Sequence, residues 1–144
     1  MYKAIDIASY TLNHYKDENI YITNLKLQKL LYFIQCEFIR EVNELCFDDV
    51  IQAWAYGPVV PNVYYTYNRF VANEILDWRN PHTIISQQHK SIIYNITDKY
   101  KDVDAWDLVK MTHTQTPWKL TYKKGKKNII PAKYLFNFVN RTSE

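Results

Sequence analysis

Thr23-Asn24-Leu25-Lys26-Leu27-Gln28-Lys29-Leu30-Leu31-Tyr32-Phe33-Ile34-Gln35-Cys36-Glu37-Phe38-Ile39-Arg40-Glu41 is the stretch that decides the fold. Leu27, Leu30, Leu31, Ile34 and Phe38 recur at helical spacing, and Tyr32 and Phe33 widen the stripe. Thr23 and Asn24 are both candidate N-caps, because a short side-chain oxygen there accepts from a free amide of the first turn. The polar residues are reduced to Lys26, Gln28, Lys29, Gln35, Glu37 and Arg40. A helix this apolar is expected at the centre of its domain.

The rest of the chain suits helical surroundings. Ile5, Ala8, Leu12 and Tyr15 share one face over residues 2–15. Pro61 suits the first turn of a helix running to about Val71, with Tyr64, Tyr67 and Val71 at matching spacing. Ser86 opens another, in which Ile85, His89, Ile92, Ile93, Ile96 and Tyr100 share a face. Asp104 caps a short helix through Met111, and the chain is expected to leave helical structure at Pro117. Pro131 starts a last helix through about Asn140. Residues 45–56 fit one short β-hairpin or an irregular ribbon. Gly57-Pro58 is a natural stop, since the residue before proline avoids the α region and glycine can take positive φ. The expected fold is mainly α: one compact domain over 1–144, of about six helices.

Composition narrows the function. Only two glycines in 144 residues leave no glycine-rich phosphate loop and few tight turns. A net charge of +3 is mild for a protein that lives on nucleic acid. Lys119, Lys123, Lys124, Lys126 and Lys127 form the one candidate phosphate-contacting turn, with no arginine to read a base edge. Cys36 and Cys46 form no CxxC pair and read as reduced core or half-buried thiols. His14, His82, His89 and His113 lie far apart without a metal-ligand spacing, so no metal or other cofactor is expected. His113 ends a helix, where an imidazole can bond the last free carbonyls. No nucleophile turn is present, and the acidic pairs at Asp48-Asp49 and Asp102/Asp104 read as solvated, so no enzymatic activity is expected. The amino terminus lacks a basic start followed by an apolar run, and no apolar stretch approaches the roughly 20 residues that span a bilayer. A cytoplasmic protein with no membrane partner is expected. Thirteen tyrosines and four tryptophans exceed what one core needs, and a surplus at the surface suits protein binding.

Three stretches together resemble the Panacea antitoxin domain, the family of SocA-like antitoxins and phage-associated GepA-like proteins. Leu25-Lys26-Leu27-Gln28-Lys29-Leu30-Leu31-Tyr32-Phe33 is similar to its KLQKLLYF helix. Ala53-Trp54-Ala55-Tyr56-Gly57-Pro58-Val59-Val60-Pro61-Asn62-Val63-Tyr64 is similar to its AW-x-YGPV-x-P-x-VY segment. Met111-Thr112-His113-Thr114-Gln115-Thr116-Pro117-Trp118 is similar to its LTH-x-E-x-PW segment, with Gln115 where an acidic residue is common. The resemblance implies an antitoxin that neutralises a cognate protein toxin by direct contact. Two other roles stay open: a phage counter-defence protein or adaptor that delivers its partner to a cellular protease, and, from the lysine turn, a nucleic-acid-binding regulator.

The motif residues Leu27, Gln28, Leu30, Leu31, Trp54, Gly57, Pro58, Thr112, His113, Pro117 and Trp118 are expected to act as scaffold. Leucines pack, Gly57-Pro58 reverses the chain, and Pro117-Trp118 closes the core. Partner contacts are expected outside the motifs, with Tyr65, Trp78, Arg79 and Lys119 as first candidates.

Overall fold

The computed structural model describes residues 1–142, so Ser143 and Glu144 of the expected single domain lie outside the described residues. Of the two candidate caps, the chain uses Thr23: its side chain accepts from the Lys26 amide at 3.2 Å, and α2 (Asn24–Val42) follows. Asn43 ends α2 in the left-handed conformation, φ 56°, and its amide donates to the Ile39 carbonyl. Leu27, Leu30, Leu31 and Ile34 have no exposed surface. Gln28, Lys29 and Gln35 are buried with them, so α2 is covered on every side for most of its length.

Six further α-helices complete the described residues. They are α1 (Ala4–Asp17), α3 (Pro61–Tyr67), α4 (Gln87–Tyr100), α5 (Ala105–His113), α6 (Thr116–Thr121) and α7 (Ala132–Thr142). α2 packs against α1, α3, α4, α5 and α7. The architecture is mainly α with a small antiparallel hairpin, as expected. Ser86 caps α4 by accepting from the His89 amide. Asp104 stands at the cap of α5, but its side chain makes no capping bond.

Three boundaries differ from expectation. The strands β1 (Gln52–Trp54) and β2 (Gly57–Val59) pair with Trp54 opposite Gly57, so the hairpin lies later than residues 45–56 and Ala55-Tyr56 makes the reversal. Cys46 and Phe47 instead close over α2, their amides donating to Gln35 Oε1 at 2.8 and 3.2 Å. The helix from Pro61 does not reach Val71: α3 ends at Tyr67, Asn68–Phe70 form a 3₁₀ turn, and Val71 takes φ 56°. Pro117 does not end helical structure. The break falls at Thr114-Gln115, and Pro117 sits in the first turn of α6, where its missing N–H leaves no intrahelical bond unmade.

No helix among the described residues is long and apolar enough to cross a membrane. Cys36 and Cys46 are buried and unpaired, and burial pushes the Cys36 thiol up to about 12. Trp78, in the loop before α4, is half-buried against the core, and its indole N–H donates to Asn13 Oδ1 at 2.8 Å. Trp78→Ala therefore lowers stability by roughly 1–2 kcal/mol, part of the loss expected for a fully buried tryptophan. A urea titration measures it. An unchanged midpoint would show that Trp78 adds nothing to the core and leave it free for partner contact, which a binding measurement on the same variant would then decide.

Candidate functional site

The hairpin is where the three motifs meet. In an antiparallel pair, alternate residues of a strand turn their backbone groups away from the partner strand. The outward groups of β2 would be unpaired, and α2 supplies their partners. Lys29 Nζ donates to the Pro58 carbonyl at 2.9 Å. Gln28 Oε1 accepts from the Val60 amide at 2.8 Å, while Gln28 Nε2 donates to Asn24 Oδ1. Pro58 has no N–H to satisfy. On the other side, the Ala53 amide donates to the Asn128 carbonyl at 2.9 Å. Both edges of the small sheet are thus occupied.

The third motif holds the reversal itself. The Trp118 indole donates to the Trp54 carbonyl at 2.8 Å. His113 Nε2 lies 3.1 Å from the Ala55 carbonyl, which only accepts, so Nε2 carries the proton. His113 was expected to bond the carbonyls ending its own helix. It reaches the hairpin instead, with its ring stacked on Trp118 at 4.0 Å between centroids. Burial holds the His113 imidazole below its ordinary pKa; the Ala55 bond opposes this and Lys29 adds to it. Gln115 Oε1 accepts from the Tyr32 hydroxyl at 2.7 Å, a bond an ordinary neutral amide makes without a salt bridge.

Gly57 stands at the crossing point. Its φ is +106°, and a Cβ there would lie 2.6 Å from Lys29 Cε and 2.7 Å from Thr112 Oγ1. Only a residue without a side chain leaves β2 room against both the Lys29 stem from α2 and Thr112 of α5. Lys29 has no exposed surface, and burial pulls its amine down to about 7. No carboxylate among the described residues offsets that cost by an ion pair with it.

Above this junction runs an open groove of about 760 Å³. Trp54, Tyr56 and Tyr64 from the second motif line it with Trp106 of α5, Val71, and Lys126 and Lys127 of the basic turn. Tyr56 and Trp106 are 58% and 50% exposed and pack edge to face, 5.1 Å apart at 88°. Lys127 Nζ sits 4.4 Å from the centre of the Trp54 ring and 3.2 Å from the Tyr65 hydroxyl. Val71 projects at the rim in a backbone conformation rare for a β-branched residue.

The four contact candidates are not gathered into one patch. Tyr65 borders the groove through Lys127 and Trp54. Trp78 and Arg79 line a different cavity, of about 810 Å³, with Arg69, Asp77 and Asp6. Lys119 is exposed on α6 and outside both. Trp54 and Tyr56, inside a motif expected to be scaffold, reach the groove surface instead. Trp106, Lys126 and Lys127 were missed as a group. The outward side of Trp106 follows from its helix, since Leu108 and Val109 turn inward, but its meeting with Tyr56 is a tertiary event.

Comparison with known proteins places residues 27–119 on the model of the family described as antitoxin SocA-like, Panacea domain. Antitoxin SocA of Caulobacter vibrioides (strain NA1000 / CB15N) is 29% identical over 126 residues, covering 78% of this chain and 66% of the relative. The chain thus spans just under two thirds of that relative's length. No solved structure matches.

Proposed function

The chain belongs to the SocA-like Panacea antitoxin family, and from that premise we propose that it neutralises a cognate toxin in the cytoplasm by direct protein contact, with no catalysis of its own. One observation carries the reading of the contact surface. The three family motifs build a single junction, and the junction presents exposed rings to solvent rather than burying them all. Large rigid aromatics with polar tips are the residues that most often dominate protein interfaces. Both edges of the hairpin below are satisfied, so the hairpin wall of the groove is in place before any partner arrives.

The test is co-expression with the product of the gene encoded beside this one. Growth arrest by that product, relieved by this protein, with both eluting as one complex, is the expected result. Relief of arrest with the two proteins eluting apart, and the partner left chemically altered, would replace binding by catalysis.

A further inference from the structure

Resting on the reading of the chain as a toxin-binding protein, we infer that the groove between the hairpin and α5 receives an acidic, amphipathic segment of a protein partner. The segment docks through side chains and not as an added strand.

Charge selects the occupant first. The lining carries Lys29, Lys126 and Lys127 and no carboxylate, although the chain has fifteen acidic residues to place. Lys29 is buried beneath the floor, so the accessible cations are Lys126 and Lys127 at the rim. Lys127 is already held over Trp54 and against the Tyr65 hydroxyl, which fixes the ammonium where an incoming carboxylate meets it without reordering a free side chain. Beside these cations the surface is apolar: Tyr56, Trp106 and Val71 are each at least half exposed. A segment that matches must therefore alternate acidic groups with aliphatic or aromatic anchors.

The mode of docking follows from the backbone. Strand addition needs a free row of N–H and C=O groups. β2 offers none, because Pro58 lacks the donor, Lys29 takes its carbonyl, and Gln28 takes the Val60 amide. Ala53 of β1 is paired with Asn128. Single-stranded nucleic acid is the rival polyanion, and it binds by stacking bases on open ring faces. Tyr56 with Trp106 and Trp54 with Tyr64 are packed edge to face at 88° and 65°, so each pair spends one face on its neighbour. The lining contains no arginine either.

Fluorescence anisotropy of the full chain with labelled peptides of about four helical turns tests this. One peptide carries glutamates with leucine and tryptophan at helical spacing, a second has lysine at each glutamate position, and the third probe is a single-stranded RNA. The parent should bind the glutamate peptide over the lysine peptide. Trp106→Ala, and separately the double change Lys126→Glu with Lys127→Glu, should each weaken that binding by roughly tenfold or more. Charge reversal should also raise affinity for the lysine peptide. All three substitutions are at exposed positions, and melting curves matching the parent certify folding. Equal binding of both peptides, no binding of the glutamate peptide, tighter binding of the RNA, or unchanged affinity in both folded variants each overturns the inference. Toxin rescue that survives both variants removes the groove and leaves the antitoxin reading standing. Glutamate-peptide binding by a protein that rescues nothing does the reverse.

Discussion

Gly57→Ala lowers the melting temperature by roughly 10 °C, a loss of about 3–5 kcal/mol. Two independent costs add at this position. At φ +106° an alanine is outside the region open to L residues, a strain of about 1–3 kcal/mol. The new methyl also meets Lys29 Cε at 2.6 Å and Thr112 Oγ1 at 2.7 Å, and overpacking of a tight site costs about 1–3 kcal/mol more. Thr112 cannot yield easily, because its hydroxyl donates to the Val109 carbonyl at 2.8 Å. Nor can Lys29, whose amine is tied to Pro58 on the same strand. Gly125 supplies the control. Its φ is +78° and nothing lies within 4 Å of the position a Cβ would take, so Gly125→Ala pays for backbone alone, about 1–2 kcal/mol. Thermal melting of the two variants side by side separates the terms. If Gly57→Ala is no less stable than Gly125→Ala, the Lys29 stem swings clear and the junction is looser than its distances imply.

The central helix was legible because local and global signals agree there. Thr23 offers the cap, the leucines repeat at helical spacing, and five other helices have an apolar face to lay against them. Where two readings share one local signal, the sequence does not choose. Pro117 is such a case: proline equally marks the residue after a helix and the first turn of a new one, and only the break at Thr114-Gln115 decides. Leu45 and Phe47 alternate like a strand, yet the Gln35 side chain takes their neighbourhood's backbone groups and the pairing moves to Gln52–Val59. The groove was the least legible part. Tyr56 and Trp106 are fifty positions apart, and no periodicity within either segment brings them to 5.1 Å. Lys29 reads as an ordinary polar position on a helix, and it is buried because β2 and α5 close over the side that solvent would otherwise reach.

That buried lysine makes stability depend on pH in an unusual direction. In the unfolded chain the amine titrates near 10.5, whereas in the fold, burial holds it at about 7. Between those values the unfolded chain binds the extra proton, so unfolding is favoured at the low end and stability rises with pH. Over the two units above about pH 7, Lys29 alone should add roughly 2 kcal/mol. Lys26, also lowered by burial and opposed by Asp102 and Asp104, pushes the same way. The raised thiols of Cys36 and Cys46 and the raised phenols of Tyr15 and Tyr32 act oppositely. In the unfolded chain those groups ionise at their ordinary values, from 9 upward, while the fold keeps them protonated, so stability falls again beyond pH 9. Lys29→Met isolates the term within the window. The variant loses the donor to Pro58, which costs about 1–3 kcal/mol at any pH, but its urea midpoint should climb far less from pH 7 to pH 9 than the parent's. The slope, not the absolute stability, is the measurement. Parallel profiles for parent and variant would mean that Lys29 keeps its charge in the folded protein, with water or a moving carbonyl sharing the cavity.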